Sequence, residues 1–228
     1  MALIISIETA TNICSVALHV ADSLIVTQKL HVERSCSEWL MGAIEHLFTV
    51  SPYTKADLAA VAVSSGPGSY TGLRIGVATA KGLCHALRIP LIAVNTLEAM
   101  VYGVQPYNVM QALLCPMLDA RRMEVYCLLT DAQGHVVIPT HAQVINQYSF
   151  QKQLRHSPIL FFGDGAAKCQ TVLAHCSHAM FIDRVYPDAR YVGDLACIKF
   201  QKSAFEDARS FQPAYLKPFQ GKPSKHLQ

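Results

Sequence analysis

Charge is scarce in this chain: 15% of its 228 residues are Asp, Glu, Lys or Arg, and the formal net charge is only +3. An excess that small gives no basic groove by itself, so the totals do not mark a nucleic-acid binder. No apolar run reaches the roughly 20 residues that span a bilayer. Met1-Ala2-Leu3-Ile4-Ile5 has neither a basic flank nor a small-residue cleavage site, so it reads as a strand and not as a signal peptide. No C-x-x-C pair occurs among the eight cysteines, Cys14, Cys36, Cys84, Cys115, Cys127, Cys169, Cys176 and Cys197. Scattered among apolar neighbours, they read as small core hydrophobes in a reducing compartment, not as disulfide partners. The expectation is a cytoplasmic protein with no membrane attachment.

What the chain has in quantity is core material, 51% hydrophobic residues. Leu3 to Ile7 reads as a buried strand, followed by the polar turn Glu8-Thr9-Ala10-Thr11-Asn12. Ile13 to Val20 and Leu24 to Leu30 read as a hairpin around Ala21-Asp22-Ser23. Ser35-Cys36-Ser37-Glu38 has the form of a capping box, and Trp39, Leu40, Ala43, Ile44, Leu47 and Phe48 recur at helical spacing behind it. Leu58 to Ser64 is a strand, Thr71 to Leu87 a helix and Pro90 to Val94 another strand.

The second half repeats this order. A strand at Cys115 to Leu118 is followed by a polar turn, and Met123 to Thr130 and His135 to Ile138 form a hairpin around Asp131-Ala132-Gln133-Gly134. A helix is expected over Gln147 to Arg155, a strand over Ile159 to Phe162, and a helix over Ala166 to His175. A unit recurring at roughly 110 residues is a duplicated domain and not a solenoid repeat. The expected architecture is α/β, two lobes each holding a mixed sheet flanked by helices. Residues 1–103 form the first lobe. Residues 104–228 form the second, with a returning segment and a loose Pro/Gly/Lys-rich tail from Lys217.

The most specific stretch is Gly66-Pro67-Gly68-Ser69-Tyr70-Thr71-Gly72-Leu73-Arg74-Ile75-Gly76, a strand, a tight turn and a helix. Gly66 and Gly68 permit unusual backbone angles, and Ser69 or Thr71 can cap the helix. Gly66, Gly68 and Ser69 are candidate nucleotide-phosphate contacts, because free amides at a helix start attract anions. The alternative is a purely structural turn. No Gly-Lys-Ser/Thr follows at Walker A spacing. Gly72, Gly76 and Ala80 lie four apart, a stripe of small residues that suits close packing against a partner helix or against the chain's own sheet.

Taken whole, this stretch resembles the signature of the bacterial TsaB (YeaZ) family. Ile7-Glu8-Thr9-Ala10-Thr11, Val94-Asn95-Thr96-Leu97, Asp119-Ala120-Arg121-Arg122-Met123-Glu124-Val125-Tyr126 and Pro213-Ala214-Tyr215-Leu216 resemble further family segments in the same order. The resemblance implies two actin-like or Hsp70-like (ASKHA) lobes. It also implies a non-catalytic subunit that supports TsaD, with TsaE, in placing a threonylcarbamoyl group on the adenosine beside the tRNA anticodon. A homodimer is implied when TsaD is absent, tRNA contact is indirect, and no cofactor is held apart from ATP or ADP at the complex interface. Docking is expected on the first-lobe helices, through Met41, Glu45, Gly72, Arg74, Ile75, Gly76, Thr79 and Ala80. Glu8 stands where the family has Asp, and its extra methylene is expected to push the carboxylate further into the cleft.

Catalytic relatives grip a metal with H-x-x-x-H, two imidazoles on one helix face. Here Thr96 and Met100 occupy that spacing, and a hydroxyl with a thioether suits no divalent ion well. Cys169, His175, Cys176 and His178 cluster in sequence without zinc-ligand spacing. No G-x-S-x-G elbow is present. No catalytic residue and no metal site is therefore expected. The rival reading is a stand-alone actin-like ATPase or small-molecule kinase using Gly66–Gly68 and Gly163–Gly165 as nucleotide loops.

Overall fold

The computed structural model describes residues 2–31 and 36–217. Ser35 of the expected capping box and the tail beyond Lys217 lie outside the described residues. Two five-stranded sheets carry the fold. The first is built from β1 (Leu3–Glu8), β2 (Cys14–Val20), β3 (Ser23–Leu30), β4 (Leu58–Gly66) and β5 (Leu91–Asn95), in the order β3-β2-β1-β4-β5. The second uses β6 (Leu113–Asp119), β7 (Glu124–Thr130), β8 (Val136–Val144), β9 (Ile159–Phe162) and β10 (Ala179–Ile182), in the order β10-β9-β6-β7-β8. In both, three antiparallel strands continue into two parallel ones, so the second sheet repeats the first. The duplicated, mixed-sheet architecture is that of an actin-like fold.

Burial follows from position in the sheet. β1 is central and covered on both faces, so all six residues are buried and the strand is almost continuously apolar. β3 is an edge strand, and its burial alternates residue by residue. On one face of the first sheet lie α1 (Cys36–Thr49) and α2 (Tyr70–Leu87). α1 buries Leu40, Ala43, Ile44 and Leu47, a single stripe at helical spacing. Trp39 is half-buried against the same core. Each large side chain so buried contributes about 1.5–3 kcal/mol.

The opposite face is covered by a helix from the far end of the chain. α6 (Ala189–Gln201) seats Val192, Ala196 and Cys197 on Ile4, Ala60, Ala62, Ile92 and Val94. Asp188 caps its start by accepting from the Arg190 amide at 3.0 Å. The following segment stays on the first sheet, where the Glu206 amide donates to Leu91 O and the Ala214 amide to Ser65 O. Ala208 and Phe211 pack on the first core. Residues 189–214 thus run back along the first lobe.

α3 (Thr96–Val104) packs Leu97, Met100, Val101 and Val104 against Leu114, Leu118, Leu128 and Phe162 of the second sheet. α4 (Gln151–Leu154) and α5 (Ala166–Leu173) cover that sheet's other face. The helix expected over Gln147 to Arg155 is cut to one turn because Phe150 sits in left-handed backbone at φ 59°.

One expectation is overturned. Cys14 and Cys36 form a disulfide that ties the start of α1 to the start of β2. Cys84, Cys115, Cys127, Cys169, Cys176 and Cys197 are free, and all but Cys176 are buried. Sequence spacing carries no information on pairing; the hairpin β2–β3 brings the two thiols together.

Candidate functional site: a helical docking face beside an interlobe cleft

The glycine turn between β4 and α2 is packed from within. The Ser69 amide donates to Ala10 O at 2.6 Å, and the Gly72 amide donates to Ser69 Oγ at 3.3 Å. A Cβ on Gly68 would stand 2.4 Å from Ala10 O, one on Gly72 2.1 Å from Thr9 O, and one on Gly76 2.3 Å from Thr9 Oγ1. The small-residue stripe therefore lets α2 lie directly on the chain's own first turn. Gly76 and Ala80 are buried there, which removes them from any docking surface and corrects their assignment as partner contacts. Gly72 is half-buried in the same contact.

The rest of the expected docking set faces outward. Met41 is 47% exposed, Glu45 and Arg74 are exposed, and Ile75 and Thr79 are half-buried. The Glu45 carboxylate pairs with Lys55. Sequence reasoning missed three exposed neighbours, Gly42 on α1 and Ala78 and Gly82 on α2. Nothing lies within 4 Å of a Cβ built on Gly42 or Gly82. A glycine inside a helix costs about 1 kcal/mol against alanine. At Gly76 that cost is explained by Thr9; at Gly42 and Gly82 no contact within the described chain explains it.

Of the three candidate phosphate contacts, Gly66 and Gly68 pack on Ala214 and Ala10, and Ser69 bonds within the chain. Ser69 uses its amide on Ala10 and its hydroxyl on the helix. Gly66, at φ 103°, is covered by Ala214 O, 3.0 Å from where its Cβ would stand. A cleft of about 390 Å³ does open between the lobes, lined by Gly68, Ser69, Tyr70, Asp119, Arg121, Tyr126, Asp164, Tyr215 and Lys217. The C-terminal segment crosses it: Tyr215 stacks on Tyr70 at 4.6 Å between centroids, and Lys217 pairs with Glu124 of the second lobe. Asp119 is tied to Lys168 and accepts from the Arg121 amide at 2.7 Å. Burial pushes the Asp164 carboxyl above its usual range.

Glu8 does not enter this cleft. Its carboxyl is fully buried within the first lobe, where Oε1 accepts from the Ala10 amide at 2.6 Å and from Ser64 Oγ at 2.9 Å. Burial raises its pKa to about 7. The longer side chain folds back into the lobe, contrary to the expectation of a carboxylate pushed outward.

Thr96 opens α3 and Met100 lies at its middle; both are buried away from solvent. The Cys169 thiol is buried and donates to Gly165 O, while His175 and His178 turn to Val172 O and Leu154 O. Among the described residues, no three His, Cys, Asp or Glu side chains converge on a point that could hold a metal ion.

A family model described as "TsaD: tRNA N6-adenosine threonylcarbamoyltransferase" matches residues 24–225. The "tRNA threonylcarbamoyladenosine biosynthesis protein TsaB" of Bacillus subtilis (strain 168) is 27% identical over 227 residues, covering 94% of this chain and 93% of that protein. The chain belongs to the TsaB/YeaZ family. The TsaB protein of Escherichia coli (strain K12) is 36% identical over 123 residues, 54% of this chain and 52% of its own length. A Pseudomonas aeruginosa crystal structure, of a protein with similarity to peptidase YEAZ, superposes with a TM-score of 0.82 at 21% identity, covering 95% of this chain and 100% of the other. The TsaB/YeaZ fold thus extends over nearly the whole chain, and the family model's matched residues include α6 and the crossing C-terminal segment.

Proposed function

We propose that this chain is a non-catalytic subunit of tRNA threonylcarbamoyladenosine biosynthesis, acting by docking the outer face of α1 and α2 on a TsaD protein. Family membership supports the pathway. The single observation that carries the docking mode is the pair of exposed mid-helix glycines, Gly42 and Gly82, with open space where a side chain would be. Met41, Glu45, Arg74, Ile75, Ala78 and Thr79 frame them, offering three apolar side chains, one acid, one base and one hydroxyl around a close-approach surface. The same face serves a homodimer when TsaD is absent, and TsaE joins the assembled pair.

The absence of a catalytic role is supported by what fills the key positions. The glycines of the turn pack closely on Ala10, Thr9 and Ala214, and the Ser69 amide is used on Ala10. ATP or ADP, where it acts, binds at the complex interface and not in this chain's own cleft, and the setting is the cytoplasm. Reconstitution with TsaD, TsaE, tRNA, ATP and threonylcarbamoyl-adenylate tests the reading. Modified adenosine should form only when this chain and TsaD are both present. ATP hydrolysis or tRNA modification by the isolated chain would replace the scaffold with the stand-alone enzyme.

A further inference from the structure

The weak overall charge conceals a local concentration. The last turns of α2 and the 207–209 turn of the C-terminal segment enclose a groove of about 530 Å³, lined by Lys81, Gly82, His85, Arg88, Asp207 and Arg209 over a floor that includes Cys84 and Ile89, so that Gly82 borders both this groove and the docking face. Three fixed cations against one carboxylate leave two positive charges here, of the three that the whole chain carries in excess.

The groove is built, not accidental to two loose side chains. The Lys81 ammonium donates to Arg209 O at 3.0 Å and Phe211 O at 3.2 Å, clamping one wall on the other. Asp207 spends its carboxylate on its own turn, accepting from the Arg209 amide at 3.0 Å and from Ser210 Oγ at 2.8 Å. Those bonds hold it below the usual carboxylate range, so it stays ionised. Among the described residues no carboxylate lies within ion-pair distance of Arg88 or Arg209. A basic residue at a helix C-terminus is stabilising by itself, which accounts for His85 in the last turn of α2. Arg209 comes from another segment, and that explanation does not reach it.

Two anionic partners fit such a charge pattern, an acidic protein segment and a phosphodiester backbone. Protein interfaces draw their energy from large buried anchors such as aromatic side chains. None of the residues lining this groove is Phe, Tyr or Trp, and none is an exposed large hydrophobe. Backbone phosphates need only spaced cations, and a guanidinium offers a fork that matches phosphate oxygens.

We propose that the groove formed by Lys81, His85, Arg88 and Arg209 is a phosphodiester-binding site that holds RNA backbone next to the docking face. The identity of that RNA as tRNA rests on the functional reading above; the anion site itself does not. Contact with RNA is then direct, through folded residues.

The test is fluorescence anisotropy of the full chain with a tRNA transcript across a potassium chloride series. Replacing Arg88 and Arg209 together with Glu should weaken binding about tenfold at low salt and lower the slope of log K against log salt by about 2. The charge-keeping pair Arg88→Lys with Arg209→Lys should retain most of the affinity. The control pair Arg155→Glu with Arg184→Glu, exposed on the second lobe and away from both the groove and the cleft, should change it less than about threefold. Equal losses from both Glu pairs, or unchanged affinity in the groove pair, would overturn the site. Co-elution with TsaD is read on the same samples. A groove pair that loses TsaD while keeping RNA makes this a protein contact and also overturns the proposal. Failure of the wild-type chain to co-elute counts against the docking reading and leaves the groove result standing.

Discussion

Gly76 of α2 and Thr9 of the first turn approach so closely that a Cβ on the glycine would lie 2.3 Å from the threonine hydroxyl oxygen. Gly42 and Gly82, equally deep inside their helices, have nothing within 4 Å of the same position. The two classes of glycine therefore respond oppositely to substitution. Gly76→Ala should destabilise the chain by about 1–3 kcal/mol through overpacking. Gly42→Ala or Gly82→Ala should stabilise it by up to about 1 kcal/mol, because alanine restricts the unfolded chain and meets no neighbour. Urea midpoints of the three variants decide this, and equal signs for Gly76 and Gly82 would contradict the packing.

The same contrast separates folding from docking. Gly42→Arg and Gly82→Arg should leave the circular dichroism spectrum and melting temperature of the isolated chain nearly unchanged. Each should lower co-elution with TsaD at least about tenfold, since a side chain at a close-approach point keeps two helices apart. Undiminished co-elution of both variants would move the interface elsewhere on the molecule.

Glu8 sets a pH dependence. Its folded pKa of about 7 lies above the model-peptide value of 4.5, so the native chain holds this proton more tightly than the unfolded chain does. The contribution to stability is greatest below the unfolded value and is lost as pH rises from about 4.5 to about 7. The loss is on the order of 3 kcal/mol at neutral pH and above. Glu8→Gln should flatten the urea midpoint across that window and raise it at pH 8. A midpoint that climbs through the window in the wild type, and not in the variant, would reverse the sign.

The Cys14–Cys36 bond closes a loop of 22 residues. A cross-link of that span restricts the unfolded chain by about 3 kcal/mol. Oxidised protein should lose about that much on Cys14→Ser, and reduced wild type should match the reduced variant. Non-reducing peptide mapping should show this one link, with Cys84, Cys115, Cys127, Cys169, Cys176 and Cys197 open to alkylation once unfolded.

Much of the fold could be read from residue patterns, and what escaped did so for physical reasons. The two hairpins and the helices α1, α2 and α5 carry clear periods of two or of three and four. α6 passed unnoticed because its buried stripe is Ala189, Val192, Gly193, Ala196 and Cys197, small side chains that raise little hydrophobic contrast. α3 buries seven of its nine residues, so it has no polar face against which a helical period could show. β10 spans only four residues.

The candidate site divides in the same way. The spacing of Gly72, Gly76 and Ala80 announced a close contact but not which surface made it, since one stripe serves a neighbour inside the fold or outside it. Gly42 bore a weaker signal, as the one glycine of α1, while Gly82 belongs with Ala78 and Ala86 to a second small-residue stripe on α2 that was overlooked beside Gly72, Gly76 and Ala80. The groove at Arg88 and Arg209 joins positions far apart in the chain, and only the returning segment brings them together.

That returning segment fixes an order of assembly. β1 needs α6 over its second face, and the groove beside α2 needs residues 207–209, yet all of these leave the ribosome after the entire second lobe. A half-made chain has its central strand uncovered on one side. The groove proposed to hold RNA is complete only after the second lobe has been made, so a polypeptide stopped short of residue 207 offers that ligand nothing finished to grasp.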